Sequence, residues 1–366
     1  MRGIGVLQIE PTDYCNLHCK MCKPHHQRWP SIHGIPKGFL SLTFFEQLVN
    51  NFLKEQVEFD HIIFQWLGDP LVHPKIDVIL TKAQMLKHQV NYLRIDTNGI
   101  ALDAERIDTI LKSAIDGAPL LIVFSVDAFS SNTYIDVKGR DYRDTVYKNI
   151  RHMIRQRKKI GKRCHVNIQI QFVVQEQNHN EIPEFLEYFT DILRCQGGIY
   201  WHDEILFKPL SVDGGGTGQK ASDDLYASVL PYLDSYRKNH HTAPQIKTWS
   251  VQPWQQNQES ASNKQQTKNK RGPCPGLWMT PVVRHDGELL LCCADLQSEM
   301  SLGNLQQHSF MNLWTSSKAV QKRMEHLHGT FHGVCKDCGG INWYSLSQER
   351  KEQTKKNAHE LGVEGL

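Results

Sequence analysis

The stretch "DYCNLHCKMC" (residues 13–22) places three cysteines, Cys15, Cys19 and Cys22, in one short segment. It follows a strand-like run, "GVLQIE" at Gly5–Glu10. No fourth cysteine stands near these three in the sequence. The segment therefore supplies three thiolates and leaves any fourth ligand to another group.

Cysteine spacings of four and three residues fit a loop wrapped around one iron–sulfur cubane. A [4Fe–4S] cluster is normally held by four cysteine thiolates, so three thiolates would leave one iron open to a small molecule. Catalytic metal sites keep such an open position, whereas structural sites are closed. Zinc held by the three cysteines and one histidine, His25 or His26, is the alternative.

The composition is that of a soluble globular protein, with 40% hydrophobic and 22% charged residues. A chain of 366 residues suggests about two domains. We find neither an apolar run long enough to span a membrane nor a signal peptide, so we expect a cytoplasmic protein. A net charge of +3 is too small to predict a nucleic-acid or membrane partner.

Ten cysteines are many for a cytoplasmic chain, where disulfides are disfavoured and clustered cysteines indicate metal ligands or catalysts. The isolated Cys164 and Cys195 are expected to be small buried hydrophobic residues. A second cluster lies in the last third of the chain and comprises Cys274, Cys292, Cys293, Cys335 and Cys338.

Strand-like runs alternate with helical stretches over the first ~210 residues. The predicted strands are Gly5–Glu10, His61–Leu67, Asn91–Asp96, Leu120–Val126, His165–Val174 and Ile199–Phe207. This alternation predicts an α/β fold, either a partial (β/α)6 barrel or an open doubly wound sheet. In both folds the functional residues lie at the carboxyl ends of the strands.

The sequence divides into four predicted segments. Residues 1–210 form the β/α unit, and residues 211–273 form a flexible linker that includes "SVDGGGTG" and a polar low-complexity stretch. Residues 274–340 form a small cysteine-rich domain. Residues 341–366 form a charged helical tail on the surface.

The Cys-x3-Cys-x2-Cys segment after the first strand resembles the motif of the radical S-adenosylmethionine (radical SAM) superfamily. Met21 stands where members of that family usually have an aromatic residue. "LGDP", at Leu67, Gly68, Asp69 and the proline that follows, resembles the family's Gly-Gly-Glu-Pro motif. That resemblance implies contacts to the amino group of the methionine part of the cofactor, with Asp69 in place of glutamate.

Two further strand ends resemble the same family. "DTNG" contains Asn98 and resembles a turn that lines the cofactor pocket, and "SVD", from Ser125 to Asp127, resembles the segment that reaches the ribose. Each of these short patterns alone is common in turns and helix caps. Their order at successive strand ends favours one shared site.

The resemblance implies a partial barrel of the radical SAM type. It also implies a [4Fe–4S] cluster that binds S-adenosylmethionine through its open iron. One-electron cleavage of that cofactor then gives a 5′-deoxyadenosyl radical, which abstracts hydrogen from a substrate. The cofactor supplies this chemistry, while the protein supplies orientation and exclusion of water.

The second cysteine cluster resembles the SPASM/twitch extensions of radical SAM enzymes. The cysteines are too few for two auxiliary clusters, so the resemblance implies one auxiliary [4Fe–4S] cluster. Its implied ligands are Cys274, Cys292, Cys335 and Cys338. Gly287 stands five residues before Cys292, as in the family, which favours Cys292 over Cys293. A structural zinc ribbon with four thiolates is the alternative.

The expected function is hydrogen abstraction from a small polar metabolite or peptide, leading to oxidation, dehydrogenation or crosslinking. A ribosomal-peptide or sulfatase-type protein maturase is an alternative, although the stretch before Cys15 is too short for a leader-recognition domain. A non-catalytic zinc- or cluster-binding protein is the alternative of another class. The basic run Arg151–Arg163 is a solvated face or a docking site for an acidic flavodoxin-type reductant or a leader peptide. We expect a flavodoxin- or ferredoxin-type protein as the reductant.

Overall fold

A computed structural model describes most of the chain. The described residues are 4–22, 37–194, 202–211, 219–240, 244–249, 273–336, 338, 346–360 and 363. Cys195, His25 and His26, and the low-complexity stretch at 255–272, lie outside these ranges.

The strands of the described residues form one ten-stranded sheet. They are β1 (Ile4–Ile9), β2 (Phe59–Phe64), β3 (Val90–Thr97), β4 (Leu120–Ser125), β5 (Val166–Val174), β6 (Glu204–Pro209), β7 (Gln245–Thr248), β8 (Val282–Val283), β9 (Glu288–Leu290) and β10 (Ser301–Asn304). Strands β1 to β7 are parallel and follow one another in sequence order. A doubly wound sheet would reverse its order at a switch point, so the prediction of a barrel-type α/β fold is confirmed.

Helices connect the strands. They are α1 (Leu42–Glu55), α2 (Ile76–Ala83), α3 (Ala104–Ser113), α4 (Ser131–Lys138), α5 (Arg143–Ile160), α6 (Ile182–Arg194), α7 (Gln219–Asn239), α8 (Gly276–Met279), α9 (Phe310–Trp314), α10 (Ser317–Leu327) and α11 (Gln348–Glu360). None of the helices in the described residues is long and apolar enough to cross a membrane.

Strand β5 shows why the sheet has two different faces. Ile168, Ile170 and Phe172 are fully buried in the main hydrophobic core. Gln169 and Gln171 alternate with them and therefore point to the opposite face. The isolated Cys164 is fully buried in the same core, as predicted.

Within the segment 211–273, predicted as a flexible linker, the structure has helix α7 at Gln219–Asn239 and strand β7 at Gln245–Thr248. The glycine run and the polar composition concealed a buried helix face that contains Tyr226 and Leu233. The Tyr226 hydroxyl lies 3.0 Å from both the Phe207 and the Trp249 carbonyl oxygens and so links α7 to the ends of β6 and β7. Strand β7 then pairs with β6 and adds a seventh parallel strand that the sequence did not predict.

The cysteine-rich segment continues the same sheet. Strand β8 pairs in parallel with β1, with Gln8 opposite Val282, and β8, β9 and β10 are antiparallel. The predicted C-terminal tail contains α11, which is helical but not only a surface element. Thr354 on α11 is buried and lies 3.4 Å from the Met279 sulfur.

Among the basic residues of the run Arg151–Arg163, Arg157 on α5 is not solvated. Arg157 is fully buried, and its guanidinium forms two bonds to the Asp203 carboxylate, at 2.8 and 2.5 Å, and one to the Val166 carbonyl. Asp203 also accepts a hydrogen bond from the Ile168 amide. This pair ties α5 to β5 and to the start of β6.

We predict that Asp203→Ala destabilises the protein by about 3–5 kcal/mol, because it leaves the Arg157 charge buried without a carboxylate. The matched control is Asp108→Ala, which removes an exposed pair with Lys112 and should cost less than about 1 kcal/mol. Denaturant unfolding followed by circular dichroism measures both. Equal costs for the two variants would contradict the structural role of the buried pair.

Candidate active site

The three-cysteine loop follows β1 and is fixed at its start by side-chain contacts. The Thr12 hydroxyl donates to the Gly38 carbonyl at 2.7 Å, and the Gly38 amide donates to Asp13 at 3.0 Å. Burial raises the pKa of Cys15 to about 12, and the charges of Asp69, Cys19 and Cys22 contribute to the rise. The loop thus brings three half-buried thiols close enough to affect one another, and a bound cluster would deprotonate them.

Gly68 lies directly against this loop. A Cβ at that position would stand 2.4 Å from the Thr12 carbonyl oxygen and 2.5 Å from that of Tyr14. The next residue, Asp69, donates its amide to the Tyr14 carbonyl at 2.9 Å. The absence of a side chain therefore allows the end of β2 to hold the cysteine loop by its backbone.

The Asp69 carboxylate is buried and accepts hydrogen bonds from its own chain. Its donors are the amides of Leu71 and Asn98, at 2.9 and 2.7 Å, and the hydroxyl of Thr97, at 3.0 Å. Burial raises the pKa of Asp69 to about 6, although these hydrogen bonds act in the opposite direction. Asp69 thus joins the end of β2 to the end of β3, and a contact to the cofactor stays a prediction.

Asn98 brings the turn after β3 to the cysteine loop. Its side-chain amide nitrogen lies 2.7 Å from the Asn16 side-chain oxygen and 3.8 Å from the Cys15 sulfur. The adjacent Gly99 has φ of +78°, which favours glycine in this turn. The first three strand ends singled out by the sequence therefore meet in one place.

The fourth strand end contributes Ser125 and Asp127. The Ser125 hydroxyl accepts a hydrogen bond from Gln171 at 3.1 Å. Asp127 is fully buried; one of its oxygens accepts the Val173 amide at 2.7 Å, and the other lies 2.5 Å from the Lys138 ammonium. Both carboxylate oxygens thus have partners within the chain, so a ribose contact by Asp127 remains a prediction.

Lys138, at the end of α4, is a site residue that sequence reasoning missed. Burial opposes its charge, yet Asp127 and Cys19 together raise the pKa of the ammonium above its usual value. In return, Lys138 lowers the pKa of Cys19, which burial raises. No sequence pattern distinguished Lys138 from a solvated lysine, because its partner lies eleven residues away at a strand end.

The second group of thiols assembles around Cys335. Burial raises the pKa of Cys335 to about 11, and the charges of Cys292, Cys274 and Cys338 act in the same direction. These are the four cysteines that the sequence singled out. A hydrogen bond with the neighbouring Cys293 raises the pKa of Cys292, and the charge of Cys274 acts on Cys293.

Cys293 also touches the β/α unit. Its carbonyl oxygen accepts a hydrogen bond from the Trp66 indole at 2.9 Å, and Trp66 and Leu67 pack with Val282 and Leu290. In the described part of the chain, no three His, Cys, Asp or Glu side chains converge as closely as one metal ion requires. The clustered cysteines instead form two groups, and residues at the end of β2 contact both of them.

The strand ends of a parallel β/α sheet hold one cluster of cysteines, and a second cluster of cysteines lies beside them. This arrangement is typical of barrel-type enzymes that bind metal through cysteine sulfur. Two family models match the chain. The radical SAM superfamily model matches residues 9–189, and the SPASM model, an iron–sulfur cluster-binding domain, matches residues 274–339.

The chain belongs to the radical SAM superfamily and carries a C-terminal SPASM domain. The resemblance noted in the sequence is thereby confirmed. So are the predicted cofactors: a [4Fe–4S] cluster with S-adenosylmethionine in the first domain, and auxiliary iron–sulfur binding in the second. The half-buried thiols of Cys15, Cys19 and Cys22 fit the first cluster in donor type and in their mutual proximity.

Three known proteins illustrate the similarity. A tungsten-containing aldehyde ferredoxin oxidoreductase cofactor-modifying protein of Pyrococcus furiosus is 23% identical over 328 residues, which is 85% of this chain and 81% of that protein. The structure of anSMEcpe with bound AdoMet has a TM-score of 0.60 at 17% identity, covering 98% of this chain and 93% of that one.

The third is Streptococcus suis SuiB bound to its precursor peptide SuiA, with a TM-score of 0.57 at 14% identity. The match covers 86% of this chain but only 65% of SuiB, so this chain spans less than two-thirds of that protein. At these identities the two structures show a shared fold.

We predict that Gly68→Ala displaces the cysteine loop and removes the first cluster, because the new methyl group overlaps two carbonyl oxygens. Iron in the anaerobically reconstituted protein should fall by about four per chain, one cubane's worth. Gly161→Ala is the control, since a Cβ there meets nothing within 4 Å. Its positive φ adds backbone strain of about 1–3 kcal/mol but no clash with the cysteine loop. Full iron content in Gly68→Ala would refute the constraint.

Proposed function

We propose that this radical SAM enzyme abstracts hydrogen from a small polar metabolite or a peptide, with oxidation, dehydrogenation or crosslinking as the outcome. The supporting observation is the convergence of Gly68, Asp69 and Asn98 on the cysteine loop, with the Asn98 amide 3.8 Å from the Cys15 sulfur. When bound, the cluster and S-adenosylmethionine supply a 5′-deoxyadenosyl radical.

The chain's own residues perform three tasks in this proposal. Cys15, Cys19 and Cys22 hold the cluster, and the backbone contacts of Gly68 keep their loop in one position. Lys138 places a buried positive charge beside Cys19 that favours a thiolate there, while burial and its partner Asp127 act in the opposite direction. The cofactor would lie against Leu67, Asn98 and Ser125.

We further propose that one auxiliary [4Fe–4S] cluster is held by Cys274, Cys292, Cys335 and Cys338. The charges of the other three all act on Cys335, which favours Cys292 over Cys293 as the fourth ligand. This cluster would accept the electron left on an oxidised substrate radical. Trp66 would support that task by fixing the Cys293 backbone next to the β2 end.

Two substrate classes stay open. The P. furiosus relative is named as a cofactor-modifying protein, and SuiB binds a precursor peptide. The charged concave face of the sheet, described below, favours a small polar molecule or a free peptide. We propose a flavodoxin- or ferredoxin-type protein as the electron donor and the cytoplasm as the compartment.

Cysteine variants test the two cluster assignments separately. The wild type should bind about eight iron and eight sulfide per chain, two cubanes' worth. Cys15→Ala with Cys19→Ala should lose about half of this iron and all 5′-deoxyadenosine formation from S-adenosylmethionine and dithionite. Cys335→Ala with Cys338→Ala should lose the other half but still form 5′-deoxyadenosine.

Cys164→Ala is the control, because this thiol is buried in the apolar core away from both groups. It should keep the full iron content. Persistent 5′-deoxyadenosine formation in the Cys15/Cys19 variant would overturn the catalytic assignment. Zinc instead of iron in the anaerobically purified protein would favour a non-catalytic zinc protein.

A further inference from the structure

The face of the parallel sheet that points away from the helices carries many polar side chains. Strand register places these polar residues on this face: Gln8, Arg94, Asp96, Ser125, Gln169, Gln171, Glu204, Lys208 and Lys247. The apolar residues Ile63, Leu121, Val123, Val173 and Leu206 lie between them. Barrel interiors are usually filled by layers of branched apolar side chains. A charged interior next to a cofactor site is instead suited to a polar ligand.

Charges on distant strands interact across this face. Three strand spacings separate β3 from β6, about 14 Å in a flat sheet. Burial raises the pKa of Tyr92 on β3, and the Glu204 charge on β6 adds to the rise. Glu204 likewise contributes to the raised pKa of Arg94, although burial opposes it and Asp96 is the larger cause. In a barrel-type sheet of seven consecutive parallel strands these side chains lie on the concave side.

Two carboxylates on this face and one beside it, after the end of β4, each have their own cation. Asp96 forms two bonds with Arg94, at 2.6 and 2.7 Å. Asp127 pairs with Lys138, and Glu204 pairs with Lys247. At the end of β2, the Asp69 carboxylate accepts hydrogen bonds from the amides of Leu71 and Asn98. These carboxylates are thus satisfied within the protein.

Lys208 is the cation left over. It stands at the carboxyl end of β6, opposite Val173 on β5. The Val173 amide binds Asp127, so Lys208 lies level with the strand ends that carry the candidate cofactor-binding residues. Its ammonium makes no hydrogen bond or ion pair with any group in the part of the chain that the structure describes. Burial lowers the pKa of Lys208, and the charges of Asp127 and Asp96 only partly offset this. A partly buried, unpaired ammonium is costly in a folded protein and is relieved by an anionic ligand.

We propose that Lys208 binds an oxyanion of the substrate, a carboxylate or a phosphate, and so holds the substrate in the concave face beside the cofactor. This assignment rests on the proposed function, because it places the bound molecule next to the radical source. The cation pairs on either side leave Lys208 as the surplus positive charge, so the site selects anionic or zwitterionic molecules over cationic ones.

The test measures anion binding at this ammonium directly. The lysines of the anaerobically reconstituted holoenzyme are reductively methylated with 13C-formaldehyde, and the Lys208 signal is assigned as the one missing in Lys208→Arg. Sodium phosphate and sodium acetate are then titrated at constant ionic strength. We expect a saturable shift of the Lys208 signal and no saturable shift of exposed Lys112, which serves as the internal control. Tighter saturation by phosphate indicates a phosphorylated substrate, and tighter saturation by acetate a carboxylate.

If the chemical shift of Lys208 shows no saturable change during the titration, as is expected for Lys112, the proposal is overturned. A second variant, Lys208→Gln, separates substrate from cofactor. It should form 5′-deoxyadenosine with an unchanged KM for S-adenosylmethionine; a rise of tenfold or more would assign Lys208 to the cofactor carboxylate instead. If the wild type itself forms no 5′-deoxyadenosine, the proposed function fails, while the anion titration still decides whether Lys208 is an oxyanion site.

Discussion

The close approach of the cysteine loop to the end of β2 is the constraint on which the rest of the site depends. Gly68 leaves room for the Thr12 and Tyr14 carbonyls, and the Asp69 amide bonds to the second of them. Asp69 then uses its carboxylate to hold the turn after β3, and Asn98 in that turn reaches back to the loop. These backbone and side-chain contacts thus fix the first part of the loop, up to Cys15 and Asn16, before any cluster binds. Preorganisation of this kind reduces the entropy lost when a cofactor is ordered.

Hydrophobic periodicity was sufficient to predict the architecture of the β/α unit. Strand β5 alternates apolar and polar side chains from Val166 to Phe172, and the structure places it at Val166–Val174 against the predicted His165–Val174. At the start of α1 the Ser41 side chain accepts the amide of Phe44. Helix α7 was missed because a glycine run and a polar composition preceded an ordinary buried face.

The candidate site was predictable in position but not in the detailed partners of its residues. Motif order at strand ends indicated Asp69, Asn98 and Asp127, because parallel strands bring their carboxyl ends together. The sequence gives no information about which of these groups would find partners within the chain. Asp69 and Asp127 both have partners within the chain. Lys138 could be recognised as a site residue only from the structure, which packs α4 beside the end of β4. The surplus charge of Lys208 emerges in the same way, from pairings across strands that are far apart in the chain.

The pairing of β8 with β1 has a consequence for how the two parts of the molecule can be separated. In the sheet, β8 pairs with the carboxyl end of β1, opposite Gln8 and Ile9, just before the first thiol loop. Without β8, this end of β1 would present unpaired amides and carbonyls, a template onto which other chains add. A barrel that lacks the cysteine-rich segment would therefore be prone to associate with other chains at the edge that leads into its cysteine loop.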